Sequence, residues 1–307
     1  MDIELKSKVD VFNDTYKDMR KSFMFDGKRL NMMKTLLSFT NDRGFDIDKV
    51  KEVRKYLFNF KIDLYKLKYG KFLSLFFYDS SDYKKLYKSS RNIYEHLIAK
   101  GFNKNKTTLS LSLILSKNFE GDKLDKMVDK IVTLREQMGY IDYKYYIILA
   151  LSDKKISNLE YELKIVQKEI QSVESYNENM SKLIALSVIM GTEDVATKVE
   201  NVFALICNIK SEVGKISEES LVFIGIISLI IEDPEVFAKE LKNIYFSLNN
   251  IRLKRSIINK DSEVIVSLII LMNKYIEEAE AGIIYSRINK EYLKIIQDYV
   301  VCLMYFI

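Results

Sequence analysis

The chain is poor in residues that end secondary structure. It carries one proline, Pro234, and ten glycines among 307 residues. All-β folds and flexible linkers need turn residues at short intervals, so neither class fits. Cysteine is scarce too. Cys207 and Cys302 both lie in apolar runs, which reads as two buried thiols in a reducing compartment rather than a disulfide scaffold. A single histidine, His96, leaves the usual zinc sites and Ser-His-Asp or Cys-His chemistry without partners. There is no tryptophan, and glycines never group into GxGxxG or GxxxxGK[ST], so a phosphate-binding loop has no support. Long hydrophobic runs are missing as well. The longest, Leu221 to Ile231, is about half of the roughly 20 residues a membrane span requires. The opening MDIELKSKVD lacks the apolar core of a signal peptide. The expected location is therefore cytoplasmic.

What is present favours helix. The chain is 48% hydrophobic and 30% charged, enough for a large core, and it is rich in Leu, Ile, Lys and Glu. Apolar periodicity recurs along it. Gly101-Phe102 closes one segment before the apolar run Leu109 to Leu115. Gly139-Tyr140 does so 38 residues later, before Tyr145 to Leu151. Tyr176-Asn177 precedes Leu183 to Met190, and Gly214-Lys215 precedes Leu221 to Ile231. Upstream, Met32 to Phe39 and Phe72 to Tyr78 fall in the same phase.

Each unit combines a short apolar segment, a polar connection and a longer amphipathic segment. The longer segments carry stripes at spacings of three and four. Examples are Val50, Val53, Leu57, Phe60 and Leu64, then Leu124, Met127, Val128, Ile131, Leu134 and Met138, then Leu159, Leu163, Val166, Ile170 and Val173. Further on come Val195, Val199, Val202, Ile206, Ile209 and Val213, then Phe237, Leu241, Ile244, Leu248 and Ile251. Ser157 with Glu160 reads as a capping box. Asp233-Pro234-Glu235 reads as a helix start. Gly101, Gly139 and Gly214 stand at expected helix ends, where glycine accepts a left-handed conformation. Thr108 to Leu113 alternates like a strand, but the equivalent segments do not, so all are read as buried helices.

The expected fold is all-α: an α-α superhelix or solenoid-like stack of about seven two-helix repeats of roughly 38 residues, forming one domain. Residues 1–28 form an N-terminal capping helix, 29–257 six two-helix units and 258–307 an atypical C-terminal unit. The apolar Val300 to Ile307 is expected to dock on the last unit. Whether the stack breaks near Gly191 stays open.

Candidate sites are few. Residues 1–106 hold 24 Lys/Arg against 14 Asp/Glu, and the remainder 24 against 29. The basic, aromatic stretch Lys49, Lys51, Arg54, Lys55, Lys61, Lys66, Lys68 and Lys71, with Tyr56, Phe58, Phe60, Tyr65, Tyr69 and Phe72, suits a polyanion. It equally suits the solvated faces of lysine-rich helices. Arg252, Lys254 and Arg255 form a smaller basic cluster. Tyr140, Tyr143, Tyr145 and Tyr146 suit a protein interface or core filling. Asp42, Asp46 and Asp48 lack the order of a calcium loop, so capping by Asp46 or Asp48 is the reading. Glu277, Glu278 and Glu280 crowd one turn without a catalytic partner. No cofactor or metal is implied.

The stretch Phe72 to Phe102, FLSLFFYDSSDYKKLYKSSRNIYEHLIAKGF, followed by LSLSLILS from Leu109 to Ser116, resembles a family of roughly 300-residue Firmicute proteins known only as a domain of unknown function. The resemblance runs over most of the chain and brings no catalytic residues with it. The tetratricopeptide signature is absent, and the unit length is generally similar to HEAT-like pairs. The expected function is a non-enzymatic scaffold for a protein or peptide partner, with nucleic-acid binding through the basic first third as the alternative. An enzyme would have to work with carboxylates and lysines alone.

Overall fold

The computed structural model describes residues 3–40, 46–59, 64–78, 80–139, 141–173, 176–250 and 260–303. Among these residues the regular structure is entirely helical. A first helix, α1 (Ile3–Ser22), is followed by a 3-10 turn at Met24–Asp26 and then by helices in consecutive pairs. The pairs are α2 (Gly27–Thr40) with α3 (Ile47–Asn59), α4 (Leu64–Phe77) with α5 (Tyr83–Ala99), and α6 (Lys106–Asn118) with α7 (Gly121–Gln137). Next come α8 (Tyr146–Leu151) with α9 (Ile156–Val173), α10 (Glu178–Val188) with α11 (Val195–Val213), and α12 (Glu218–Ser228) with α13 (Pro234–Asn250). The last pair is α14 (Lys260–Glu280) with α15 (Lys290–Leu303), in which the first helix is the longer.

Thr108 to Leu113, the segment with strand-like alternation, lies within α6. The alternation misleads because every residue from Thr108 to Ser116 is buried. A helix buried all round needs no polar face, but its hydroxyls still need partners. Two of the serines find them on their own helix. Ser112 Oγ donates to the Leu109 carbonyl at 2.7 Å and Ser116 Oγ to Leu113 at 3.0 Å. Ser74, Ser187, Ser228 and Ser267 do likewise toward carbonyls three or four residues back. Back-bonding satisfies a small hydroxyl without a second element.

The second helices carry the amphipathic stripes. Leu159, Leu163, Val166 and Ile170 are buried in α9, Val199, Val202, Ile206 and Ile209 in α11, and Phe237, Leu241, Ile244 and Leu248 in α13. Phe60, Leu64 and Ile251 of the expected stripes lie outside the described side chains. Helix starts follow local chemistry. Asp46 Oδ1 accepts from the Lys49 amide at 2.8 Å, and Asp233 Oδ1 accepts from Glu235 and Val236 ahead of Pro234.

Three local expectations are corrected. Cys207 is exposed, because it falls on α11 next to Ile206 but off the buried stripe, while Cys302 is buried. The Ser157 capping box does not form. The amides of Asn158 and Leu159 bond the Lys155 carbonyl, so α9 has already begun and Ser157 sits in its first turn. Gly101 and Gly214 adopt positive φ, +87° and +85°, as helix ends require, but Gly139 does not. There α7 ends at Gln137, and the Met138 amide closes the helix on Leu134.

The described residues divide into two compact units, those of 3–13 with 147–300 and those of 14–146 with 301–303. Within 147–300, first helices pack on first helices, α10 on α12 and α12 on α14, and second helices on second helices, α9 on α11 and α11 on α13. Within 14–146, α3 packs on α4, α5 on α6, and α6 on the 3-10 turn Tyr143–Tyr145.

The α10–α12 crossing is tight. A Cβ placed on Gly225 would stand 1.7 Å from Ser187 Oγ and 2.6 Å from Ser187 Cβ. Gly225→Ala should lower the unfolding free energy in urea by about 1–3 kcal/mol through overpacking. Adding Ser187→Gly should recover most of that loss. An unchanged urea midpoint for the single variant would refute the close crossing.

Candidate functional site

Opposite charges inside a helical protein meet where the fold has no water to offer them. Among the described residues two such clusters contain a fully buried lysine, one in each unit. The first draws in part of the basic stretch. In α3, Lys49 pairs with Glu52 at 3.0 Å and Lys51 with Asp48 at 3.3 Å, both one turn apart, while Lys55 is exposed. Arg54 points inward. Its guanidinium grips Asp26 through Nη1 at 3.1 Å and Nη2 at 2.7 Å. Lys71 of α4 reaches the same carboxylate at 3.3 Å and donates to the Phe25 carbonyl at 2.8 Å. Lys34 of α2 completes the set at 2.5 Å from Asp26 Oδ2, with Asn31 Oδ1 at 2.7 Å. Lys61 lies outside the described residues. Lys66 and Lys68 fall in α4, with their side chains outside that description.

Three cations thus share one buried carboxylate. Lys34 and Arg54 also lie over the Phe23 ring, at 3.9 and 5.0 Å from its centroid. The electrostatic result is asymmetric. Burial raises the Asp26 carboxyl, but hydrogen bonds from Arg54 and Lys34 more than offset it and hold the group below its ordinary value. Lys34 is pushed down to about 8, chiefly by burial and further by Arg54 and Lys71, against the pull of Asp26. Arg54 and Lys71 already compensate the carboxylate, so Lys34 bears the desolvation.

The described tyrosines of the 140–146 cluster lie largely inside the fold, while Phe58 of the basic stretch is exposed. Tyr145 and Tyr146 are buried and Tyr143 is half-buried. Tyr143, Tyr146 and Phe102 form one ring cluster with centroids 4.9–6.1 Å apart. Tyr146 Oη donates to the Met138 carbonyl at 3.2 Å. Tyr140 lies outside the described residues, as do Asp42, Arg252, Lys254 and Arg255. His96 is exposed on α5. Glu278 lies 3.9 Å from Lys274, which bonds Glu240 at 2.8 Å.

The second cluster joins the connections between first and second helices in the 147–300 unit. Glu162 of α9 takes Lys154 at 2.5 Å and the fully buried Lys198 of α11. Lys154 also donates to the Ile189 and Gly191 carbonyls, each at 3.2 Å, beyond the end of α10. Burial, reinforced by Lys154, drives the Lys198 amine well below its ordinary value despite Glu162. Next to it, Arg287 from the α14–α15 connection bonds the Ile231 carbonyl at 2.6 Å through Nη1 and pairs with Glu193 through Nε.

None of Asp26, Lys34, Glu162, Lys198, Glu193 and Arg287 was singled out from the sequence. Two of them left a signal. Lys34 interrupts the apolar run Met32 to Phe39, and Lys198 adjoins Val199 on a buried stripe. A lysine on the apolar face of a helix asks for a buried partner. Among the described residues no His/Cys/Asp/Glu group could hold a metal ion, and no helix is long and apolar enough to cross a membrane.

The model of a family described as a protein of unknown function (DUF4003) matches residues 15–299. No curated protein and no solved structure matches the chain.

The two depressed lysines give a pH dependence of definite sign. Where a folded-state lysine titrates below its unfolded value, the unfolded chain binds more protons between the two values, so stability rises with pH across that interval. From about pH 8 to 9.5, urea unfolding should show a gain on the order of 1–3 kcal/mol. Lys34→Met should remove a substantial part of the slope. A flat or falling profile would contradict the buried-lysine geometry. Above about pH 10 the raised Tyr275 hydroxyl, buried and facing Glu240, opposes the gain.

Proposed function

For a chain that belongs to the DUF4003 family of proteins of unknown function, we propose a non-enzymatic helical-repeat scaffold that binds a protein or peptide partner. The observation that carries this reading is the like-on-like packing of successive pairs between 147 and 280, α9–α11–α13 on one side and α10–α12–α14 on the other. Such packing is the local rule of an α-α superhelix, in which each pair buries its faces against the next. Extended stacks of this type offer long surfaces, and binding is their general use. The second helices keep large apolar groups in solvent: Tyr161 is 69% exposed on α9 and Phe246 48% on α13. Exposed aromatics of this size are suited to a partner's surface.

Polyanion binding through the first third is the second reading. It is weaker because Lys49, Lys51, Arg54 and Lys71 all have carboxylate partners within the chain. Charges already compensated release few counterions on binding.

Photo-crosslinking residues at positions 161 and 246 would test the scaffold. The expected outcome is a protein adduct in the native host, with capture reduced about tenfold or more by Tyr161→Ala and Phe246→Ala together. No protein adduct from either position, combined with salt-sensitive binding of mixed-sequence nucleic acid, would replace this reading with the second one.

A further inference from the structure

The 3-10 turn between α1 and α2 displays two large apolar side chains, and the residues that bracket them are anchored. Phe23 is buried, with Lys34 and Arg54 over its ring. Asp26 is buried among Lys34, Arg54 and Lys71. The backbone between them is held as well. The Asp26 amide donates to the Phe23 carbonyl at 3.0 Å, and Asn31 Nδ2 donates to the same carbonyl at 3.2 Å. Lys71 Nζ donates to the Phe25 carbonyl at 2.8 Å. Held at both ends, the turn leaves Met24 69% and Phe25 84% exposed. Among the described residues no large apolar side chain is more exposed than Phe25. A single exposed apolar residue is ordinary, but two neighbours displayed on an anchored turn mark a contact surface.

The charge around the turn selects what it contacts. Arg20, Lys21, Lys28 and Arg29 flank it in sequence, against one acid between residues 20 and 29, the buried Asp26. Arg20 and Lys21 are exposed and Lys28 is half-exposed. Asp18 stands 3.6 Å from Lys21, but both side chains are largely in solvent, where such a pair is weak. Beneath the turn, three cations share the one carboxylate of Asp26, so its base is positive too. The α14–α15 connection offers a contrast. Its exposed Ile283 and Tyr285 follow Glu277, Glu278 and Glu280. An apolar tip set among cations fits an anionic bilayer, where aromatic side chains enter the headgroup layer and Lys or Arg meets phosphate. A two-residue tip offers a protein partner little of the roughly 800 Å² per side that a specific interface buries.

We propose that the Met24–Phe25 turn inserts into the headgroup layer of an anionic membrane, with Arg20, Lys21 and Lys28 meeting the lipid phosphates. The contact is peripheral and uses no spanning segment. It is independent of the scaffold reading, whose exposed aromatics lie on α9 and α13.

The chain has no tryptophan, so Phe25→Trp places a single indole at the tip. The full-length variant is titrated with vesicles of phosphatidylglycerol and phosphatidylcholine in equal parts. The tryptophan emission should shift to the blue and be quenched by brominated acyl chains, and pure phosphatidylcholine should leave it unmoved. In co-sedimentation of the otherwise native chain with the mixed vesicles, Met24→Ser with Phe25→Ser should weaken binding about tenfold or more, as should Arg20→Ser with Lys21→Ser. Added salt should weaken the native chain's binding as well. All four positions are exposed, and an unchanged circular dichroism spectrum shows that the variants are folded. A tryptophan at Ile283 should not respond. No emission shift by about 1 mM lipid would overturn the proposal. Binding indifferent to Met24→Ser with Phe25→Ser would reduce it to adsorption through lysines, and the tip would have no role. Equal shifts at positions 25 and 283 would mean general apolar adsorption and sink it too. A photo-crosslinker at position 25 that captures a protein, with no response to lipid, would replace the membrane with a protein partner.

Discussion

The fold depends on hiding helices that have no polar face. In α6 and α12 every residue from Thr108 to Ser116 and from Ser220 to Ser228 is buried. Such a helix is stable only when other helices cover it on all sides, and tertiary packing rather than propensity supplies that. Two consequences follow in the side chains. Small hydroxyls on these helices can turn to their own backbone, as Ser112, Ser116 and Ser228 do. Neighbours must also approach closely, which is why Gly225 stands against Ser187. Small residues do both, since they offer little volume and no group that needs a distant partner.

The same crowding sets the terms for charge. A buried ion pair gains coulombic energy but loses hydration, and the balance is often near zero. Neither cluster is a simple pair. Asp26 is shared by Lys34, Arg54 and Lys71, and Glu162 by Lys154 and Lys198. One carboxylate cannot fully compensate several cations, so the deepest lysine in each set is the one whose charged form is penalised. These clusters connect residues far apart in sequence: Asp26 with Arg54, Lys154 with Gly191, Glu162 with Lys198. They fix which connection lies beside which, a specificity that apolar contacts alone do not give.

What was readable in the sequence was local. The stripe Val199, Val202, Ile206, Ile209 recurs every three or four residues, and the buried face of α11 follows it. The glycines at 101 and 214 end their helices because no side chain hinders the positive φ those ends adopt. Asp46 and Asp233 cap because their neighbours in sequence supply the amides. The candidate sites were less readable because they depend on separations of tens of residues. Nothing near Arg54 announces that Asp26 will take its charge, and nothing near Arg287 announces the Ile231 carbonyl. The tyrosines illustrate the same limit. Tyr146 matches an interface by type, but it is buried against Phe102 and bonds the Met138 carbonyl, both supplied by other segments. Ser157 failed as a cap because Lys155 had already closed the first turn, a difference of two residues that pattern alone does not resolve.

Charge counted along the sequence therefore differs from charge presented at the surface. The first third is basic by composition, but four of the candidate cations, Lys49, Lys51, Arg54 and Lys71, are paired with Glu52, Asp48 and Asp26. The polar connections are where backbone acceptors stay available, because each first helix ends there with carbonyls it cannot pair itself. In the 147–300 unit those ends are occupied by the chain's own cations, Lys154 and Arg287. A helix too apolar to expose a face can still hold a distant side chain of its own fold with its end. In this unit the ends of the first helices are where the chain's own cationic side chains are held.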